Sequence, residues 1–93
     1  MLRLVMDEAG FDLYMENVKQ RKRDKLCKIL KDAGIEVTDL RIAYQGNFIA
    51  VTFGNYIGMA KRASFEIFDL QIGFPICISR LCEDILRVKE NTE

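Results

Sequence analysis

Two Gly-Asn pairs, at 46–47 and 54–55, interrupt a stretch rich in branched and aromatic residues. Glycine and asparagine tolerate the positive φ angles of two-residue hairpin turns, so each pair marks a chain reversal. "IEVTDLRIAY" (35–44), "FIAVTF" (48–53) and "YIGMAKR" (56–62) then read as three consecutive antiparallel strands. In the first, apolar residues sit at odd positions (Ile35, Val37) and then at even ones (Leu40, Ile42, Tyr44). That change of phase predicts a bulge near Thr38 and Asp39. In the third strand Gly58 has no side chain, which suits the close approach of a packed helix.

Helical periodicity brackets this meander. Residues 12–33 predict one helix, with Met15, Val18, Lys22, Leu26, Ile29, Leu30 and Ala33 recurring at three and four. Lys22 can lay its aliphatic stem along that stripe. Gly34 supplies the left-handed residue that ends it, with Ile35 folding back on Leu30. Lys28 and Lys31 suit the negative pole of the helix dipole. Asp12 is a candidate N-cap; alternatively, "MLRLVM" forms a short first strand or a frayed extension. After a connection over 63–68, Asp69 reads as the cap of a second helix, with Pro75 in or near its first turns. Its amphipathic pattern runs through Ile76, Arg80, Leu81, Ile85 and Val88.

The order is α-β-β-β-α. It predicts one α+β domain over 1–93: a three-stranded antiparallel meander with two helices on one face. Ile29, Leu30, Phe53, Phe68, Ile76 and Leu81 are the expected core. A chain of 93 residues has a modest core, so stability depends on how well these few residues pack.

Cys27, Cys77 and Cys82 make an odd count with no signal peptide before them, which points to a reducing cytoplasm and free, at least partly buried thiols. Cys77 and Cys82 are five apart on a helix and so turn to different faces. The sequence has no histidine, so a metal site would need cysteine or carboxylate ligands, and none is expected. No apolar run is long enough to cross a bilayer.

Catalytic groups are equally sparse. No histidine can serve Ser64 or Ser79 as a base, no glycine-rich phosphate cradle precedes a helix, and the carboxylates are dispersed. Neither an enzyme nor a cofactor is expected. Fourteen Lys and Arg balance fourteen Asp and Glu, which counts against a general nucleic-acid binder. The exception is local: residues 19–31 hold seven Lys or Arg against one Asp. Such a cluster either solvates the outside of a helix or contacts phosphates or an acidic protein face. Arg21 and Lys25, four apart, are expected to share an outward face.

The stretch from Ile57 to Leu81 resembles a segment of small phage- or prophage-encoded proteins, read as Gly-x-Ala-Lys-Arg-Asn-Pro-x-Asp-x-Phe-Asp-x-x-x-Gly-x-x-x-Ala-x-x-Arg-Ala. Gly58, Ala60, Lys61, Arg62, Phe68, Asp69, Gly73 and Arg80 match, and Glu66 and Ile72 fit the same frame. Ala63-Ser64, Cys77 and Leu81 depart from it. The resemblance implies viral or prophage origin rather than any one activity. The α-β-β-β-α order is also that of the double-stranded RNA-binding domain. That family's Lys-rich start of the last helix is here "FDLQIGFPI", without Lys or Arg.

The expected function is therefore non-catalytic binding in the host cytoplasm. A host protein or nucleoprotein complex would be inhibited or redirected, as by an anti-CRISPR protein, through Arg21, Lys22, Lys25, Lys61, Arg62 and Arg80. The alternatives are nucleic-acid binding through the basic first helix, and a small assembly protein that dimerises through an exposed sheet face. The chain would act as a monomer or a homodimer, without a membrane.

Overall fold

The computed structural model describes residues 2–61 and 70–91. Arg62, Glu66, Phe68 and Asp69 lie outside them. Four strands form one antiparallel sheet in the order β1 (Leu2–Val5), β2 (Arg41–Gln45), β3 (Phe48–Phe53) and β4 (Tyr56–Lys61). Three helices accompany them: α1 (Glu8–Met15), α2 (Gln20–Asp32) and α3 (Leu70–Asn91). The class is α+β, and the expected meander is present as β2–β3–β4. The N-terminal segment adds a fourth strand, pairing Leu2 with Tyr44 and Leu4 with Ile42.

Local chemistry accounts for the meander. Gln45 pairs with Phe48, and Phe53 with Tyr56, so both turns are two-residue loops. Gly46 (φ 58°) and Gly54 (φ 56°) take the positive φ in each, while Asn47 and Asn55 do not. A positive φ at the first central position alone fits the twist of a hairpin.

The expected helix over 12–33 is two helices. Asp7, not Asp12, caps the first, its carboxylate accepting from the Gly10 N–H at 2.7 Å. The chain leaves the helix after Met15 and re-enters it at Gln20. Asp12 instead pairs with Arg23 across the break. In one continuous helix these residues would stand about 16 Å apart along the axis, so their contact requires the fold-back. Packing supplies the reason for the break. Phe11 and Tyr14 of α1 meet Phe74 of α3, with ring centroids 5.8 and 5.7 Å away. Cys82, two turns further along α3, meets Leu26 of α2. The chain bends so that both short helices bury their faces on α3.

The end of α2 is as the sequence indicates. Gly34 (φ 75°) follows the C-cap Ala33. The N–H groups of Gly34 and Ile35 return to the carbonyls of Lys31 and Leu30 at 3.0 and 2.9 Å. Leu30 and Ile35 are both buried, which gives this cap its apolar contact. The expected bulge at Thr38 and Asp39 is instead a 3₁₀ turn, Val37–Asp39, before β2 begins. The turn shifts the side-chain phase without distorting a strand pair.

α3 lies on the sheet face formed by Ile42, Ile49, Val51, Gly58 and Ala60, and α1 and α2 pack against it on the same side. Phe74, Cys77, Ile78 and Leu81 are fully buried, and Cys82 and Ile85 nearly so. Leu30 and Leu81 belong to the core as expected, and Ile29 and Phe53 pack at its margin. Ile76 does not: it is 40% exposed, and Val88 is exposed too. The buried stripe of α3 is broader than one face and includes the neighbouring Cys77 and Ile78, because the helix is covered by the sheet on one side and by α1 and α2 on the other.

Candidate functional site: a cation-rimmed groove between α2 and α3

α2 and α3 run in the same direction, so Leu26 lies beside Cys82 and, further along, Ile29 beside Leu86. Where their outer faces diverge, a groove of about 510 Å³ opens. Its apolar lining comes from Leu26, Ile29, Cys82 and Leu86. Lys19, Arg21, Lys22 and Lys25 line its α2 side, and Glu83 is the one acid among its lining residues. At Ile29 and Leu86 it meets a second hollow of about 360 Å³, which runs on to Tyr56, Val88 and Lys89.

The rim follows from helix geometry. Arg21 and Lys25 are one turn apart and so share a face, and Lys22 stands beside them. All three are exposed. Arg23, on another face, is drawn to Asp12 and lies half-buried. α2 begins without a side-chain cap and without an acid in its first turn; the nearby acids are Asp24, which accepts from Gln20, and Asp12, which pairs with Arg23. Ser79, in the α3 wall, has a buried hydroxyl with no hydrogen-bond partner among the described residues.

The other expected contact residues lie elsewhere. Arg80 does not project freely: its guanidinium donates to the main-chain carbonyl of Met59 on β4. One turn on, Asp84 accepts from the Ile57 N–H at 3.1 Å and pairs with Arg87. Lys61 is exposed, with its ammonium 5.7 Å from the centroid of the Phe48 ring. The six residues read as one surface thus separate. Arg21, Lys22 and Lys25 line the groove, Arg80 and Lys61 attend β4, and Arg62 is outside the described residues. Leu86, Ser79 and Glu83 were missed as groove residues. Their signal was the i, i+4 spacing of Cys82 and Leu86 facing Leu26 and Ile29.

Cys77 and Cys82 are shielded by placement, while Cys27 is half-buried. Cys77 Sγ lies 3.6 Å from the Ile49 carbonyl oxygen and Cys82 Sγ 3.8 Å from that of Leu26, on the two covered sides of α3. Burial pushes both thiols up to about 11, and raises Cys27 as well. All three are free. Among the described residues no three acidic or cysteine side chains converge as a metal cage would require. No helix among them is long and apolar enough to cross a membrane.

The opposite sheet face carries Phe48, Ile57 and Met59, at 43, 44 and 42% exposure. No protein-family model, curated protein or solved structure matches the chain.

Proposed function

We propose that this chain is a small phage- or prophage-encoded binding protein that acts without catalysis, docking on a host protein or nucleoprotein complex and inhibiting or redirecting it, as anti-CRISPR inhibitors do. The observation that carries the reading is the α2/α3 groove, where four cations stand over an apolar floor. Cations alone would serve a phosphate backbone. The floor of Leu26, Ile29 and Leu86 gains nothing from phosphate, and Glu83 would repel it. An apolar surface edged by charge suits a protein partner, for which the floor provides burial and the rim steers association. The phage-like segment supports the origin, and its Gly58 and Arg80 serve packing. Action in the host cytoplasm fits the free thiols.

The rival reading, nucleic-acid binding by α2, is favoured by the exposure of Arg21, Lys22 and Lys25 on one helix. Affinity capture from host lysate, with and without nuclease, separates the two when wild type is run beside R21E/K25E. A partner that survives nuclease and is lost from the folded double variant is the expected result. Recovery of nucleic acid alone, or micromolar binding of duplex or single strands at physiological salt, would move the RNA- or DNA-binding reading to first place.

A further inference from the structure

Resting on that reading of the groove, we infer that its occupant is an acidic amphipathic α-helix of the partner, laid along α2 and α3 with its acidic, C-terminal end at Arg21 and Lys25. The shape selects an elongated ligand. The two hollows join at Ile29 and Leu86 into one trough, flanked on α2 from Lys19 to Ala33. That span is about 21 Å, or roughly four turns of helix. A partner helix settles between two neighbouring helices by placing one apolar stripe, at i, i+3, i+4 and i+7, into the groove between them.

Charge selects the sign. Lys19, Arg21, Lys22 and Lys25 against Glu83 leave a net of +3 around the first hollow, by four minus one. The second hollow carries Asp32 and Lys89, which cancel. Among the lining residues the excess of positive charge therefore lies at one end of the trough, the end where α2 begins. A ligand with acids at one end and apolar residues through its middle matches both features.

The same asymmetry fixes direction. A helix carries partial negative charge at its C-terminus, and α2 presents its positive pole at the cationic end of the trough. A partner helix running antiparallel to α2 places its negative pole and its acidic side chains together at Arg21 and Lys25. The parallel arrangement opposes like poles.

The test uses three synthetic peptides of about four turns that share one leucine stripe. One carries glutamates in its last two turns, one in its first two turns, and one carries lysines in place of the glutamates. Each is titrated into the ¹⁵N-labelled full chain, followed by amide shifts, at low and at physiological salt. The C-terminally acidic peptide should bind tightest and shift amides of α2 and of α3 from Ser79 to Lys89. Its affinity should fall about tenfold or more in R21E/K25E and weaken with salt. Leu86→Asn, which spoils the floor without changing the charge, should weaken it as well, with the thermal midpoint of each variant showing that it still folds.

Equal binding by the lysine peptide, shifts confined to the Phe48, Ile57 and Met59 face, or no binding by any peptide would overturn the inference. Tighter binding of the N-terminally acidic peptide would overturn the direction. Displacement of the peptide by RNA of equal charge, with larger shifts at the same amides, would favour nucleic acid. Host-protein capture that still depends on Arg21 and Lys25 while no peptide binds would remove the acidic helix and leave the groove reading standing. Capture indifferent to those residues would remove both.

Discussion

Gly58 on β4 lies so close to Cys77 on α3 that a Cβ added to it would stand 1.9 Å from the Cys77 carbonyl oxygen and 2.6 Å from the Leu81 nitrogen. Both obstacles are main chain, and neither can rotate away. Helix and sheet meet here at backbone distance, and Val51, the β3 partner of Gly58, is fully buried beside the contact. Gly58→Ala must push α3 off the sheet. We expect a loss at or above the upper end of about 1–3 kcal/mol, the usual cost of overpacking, or failure to fold. Chemical denaturation checks it, and a change within about 0.5 kcal/mol, as at ordinary surface sites, would contradict the contact.

Two apolar residues separate the buried from the exposed phase of the helices. Leu30 is 3% exposed and joins the Ile35 cap, whereas Ile76 is 40% exposed. Leu30→Ala should cost about 2–5 kcal/mol as a core truncation. Ile76→Ala should cost clearly less, about 1 kcal/mol, because two-fifths of the residue is already in water. Equal losses in urea denaturation would mean that α3 is rotated from the described phase.

The thiols predict an alkaline limit to stability. Burial holds Cys77 and Cys82 at about 11, above the ordinary value of 9.0. Above pH 9 the unfolded chain releases these protons while the folded chain keeps them. Their contribution is fully present below about pH 9 and is lost as pH rises towards 11. The slope approaches about 1.4 kcal/mol per pH unit for each thiol at its steepest. At pH 8 in native buffer, alkylation should reach Cys27 first and the other two only through unfolding. Equal, rapid labelling of all three would contradict their placement.

Much of this was legible in the residues because it is decided locally. Gly46 and Gly54 set the hairpins, Gly34 stops α2, and the bare Gly58 marks the helix approach, each through backbone geometry that few other residues permit. What was not legible depends on tertiary contacts. The stripe Met15, Val18, Lys22 keeps helical period through the break after Met15, and no proline or glycine marks it. Only Phe74 and Leu26 show why the chain must bend. Ile76 has the right spacing for a single-faced helix, but α3 is covered on two sides, which moves burial to Cys77 and Ile78. The separation of Arg80 from Arg21 and Lys25 follows from that placement. The basic cluster itself could be read in one dimension, whereas its apolar floor needed Leu86 from a helix 60 residues away.

Arg80 and Asp84, one turn apart on α3, occupy the outer edge of β4. The Met59 carbonyl and the Ile57 N–H belong to residues that turn these groups away from β3, where another strand could pair with them. The guanidinium and the carboxylate bind them instead, so the pair occupies hydrogen-bonding groups that an added strand would need. Replacing both by alanine should have two effects. Each lost bond should cost about 0.5–1.5 kcal/mol. The freed edge, flanked by the exposed Ile57 and Met59, should also self-associate as concentration rises. Sedimentation over a range of concentrations reads the second effect. Arg80→Lys keeps the charge and one donor, so it should restore much of the monomeric behaviour when Asp84 is intact. If the double variant stays as monomeric as wild type while losing stability, the two side chains serve packing alone and the edge is protected by another part of the chain.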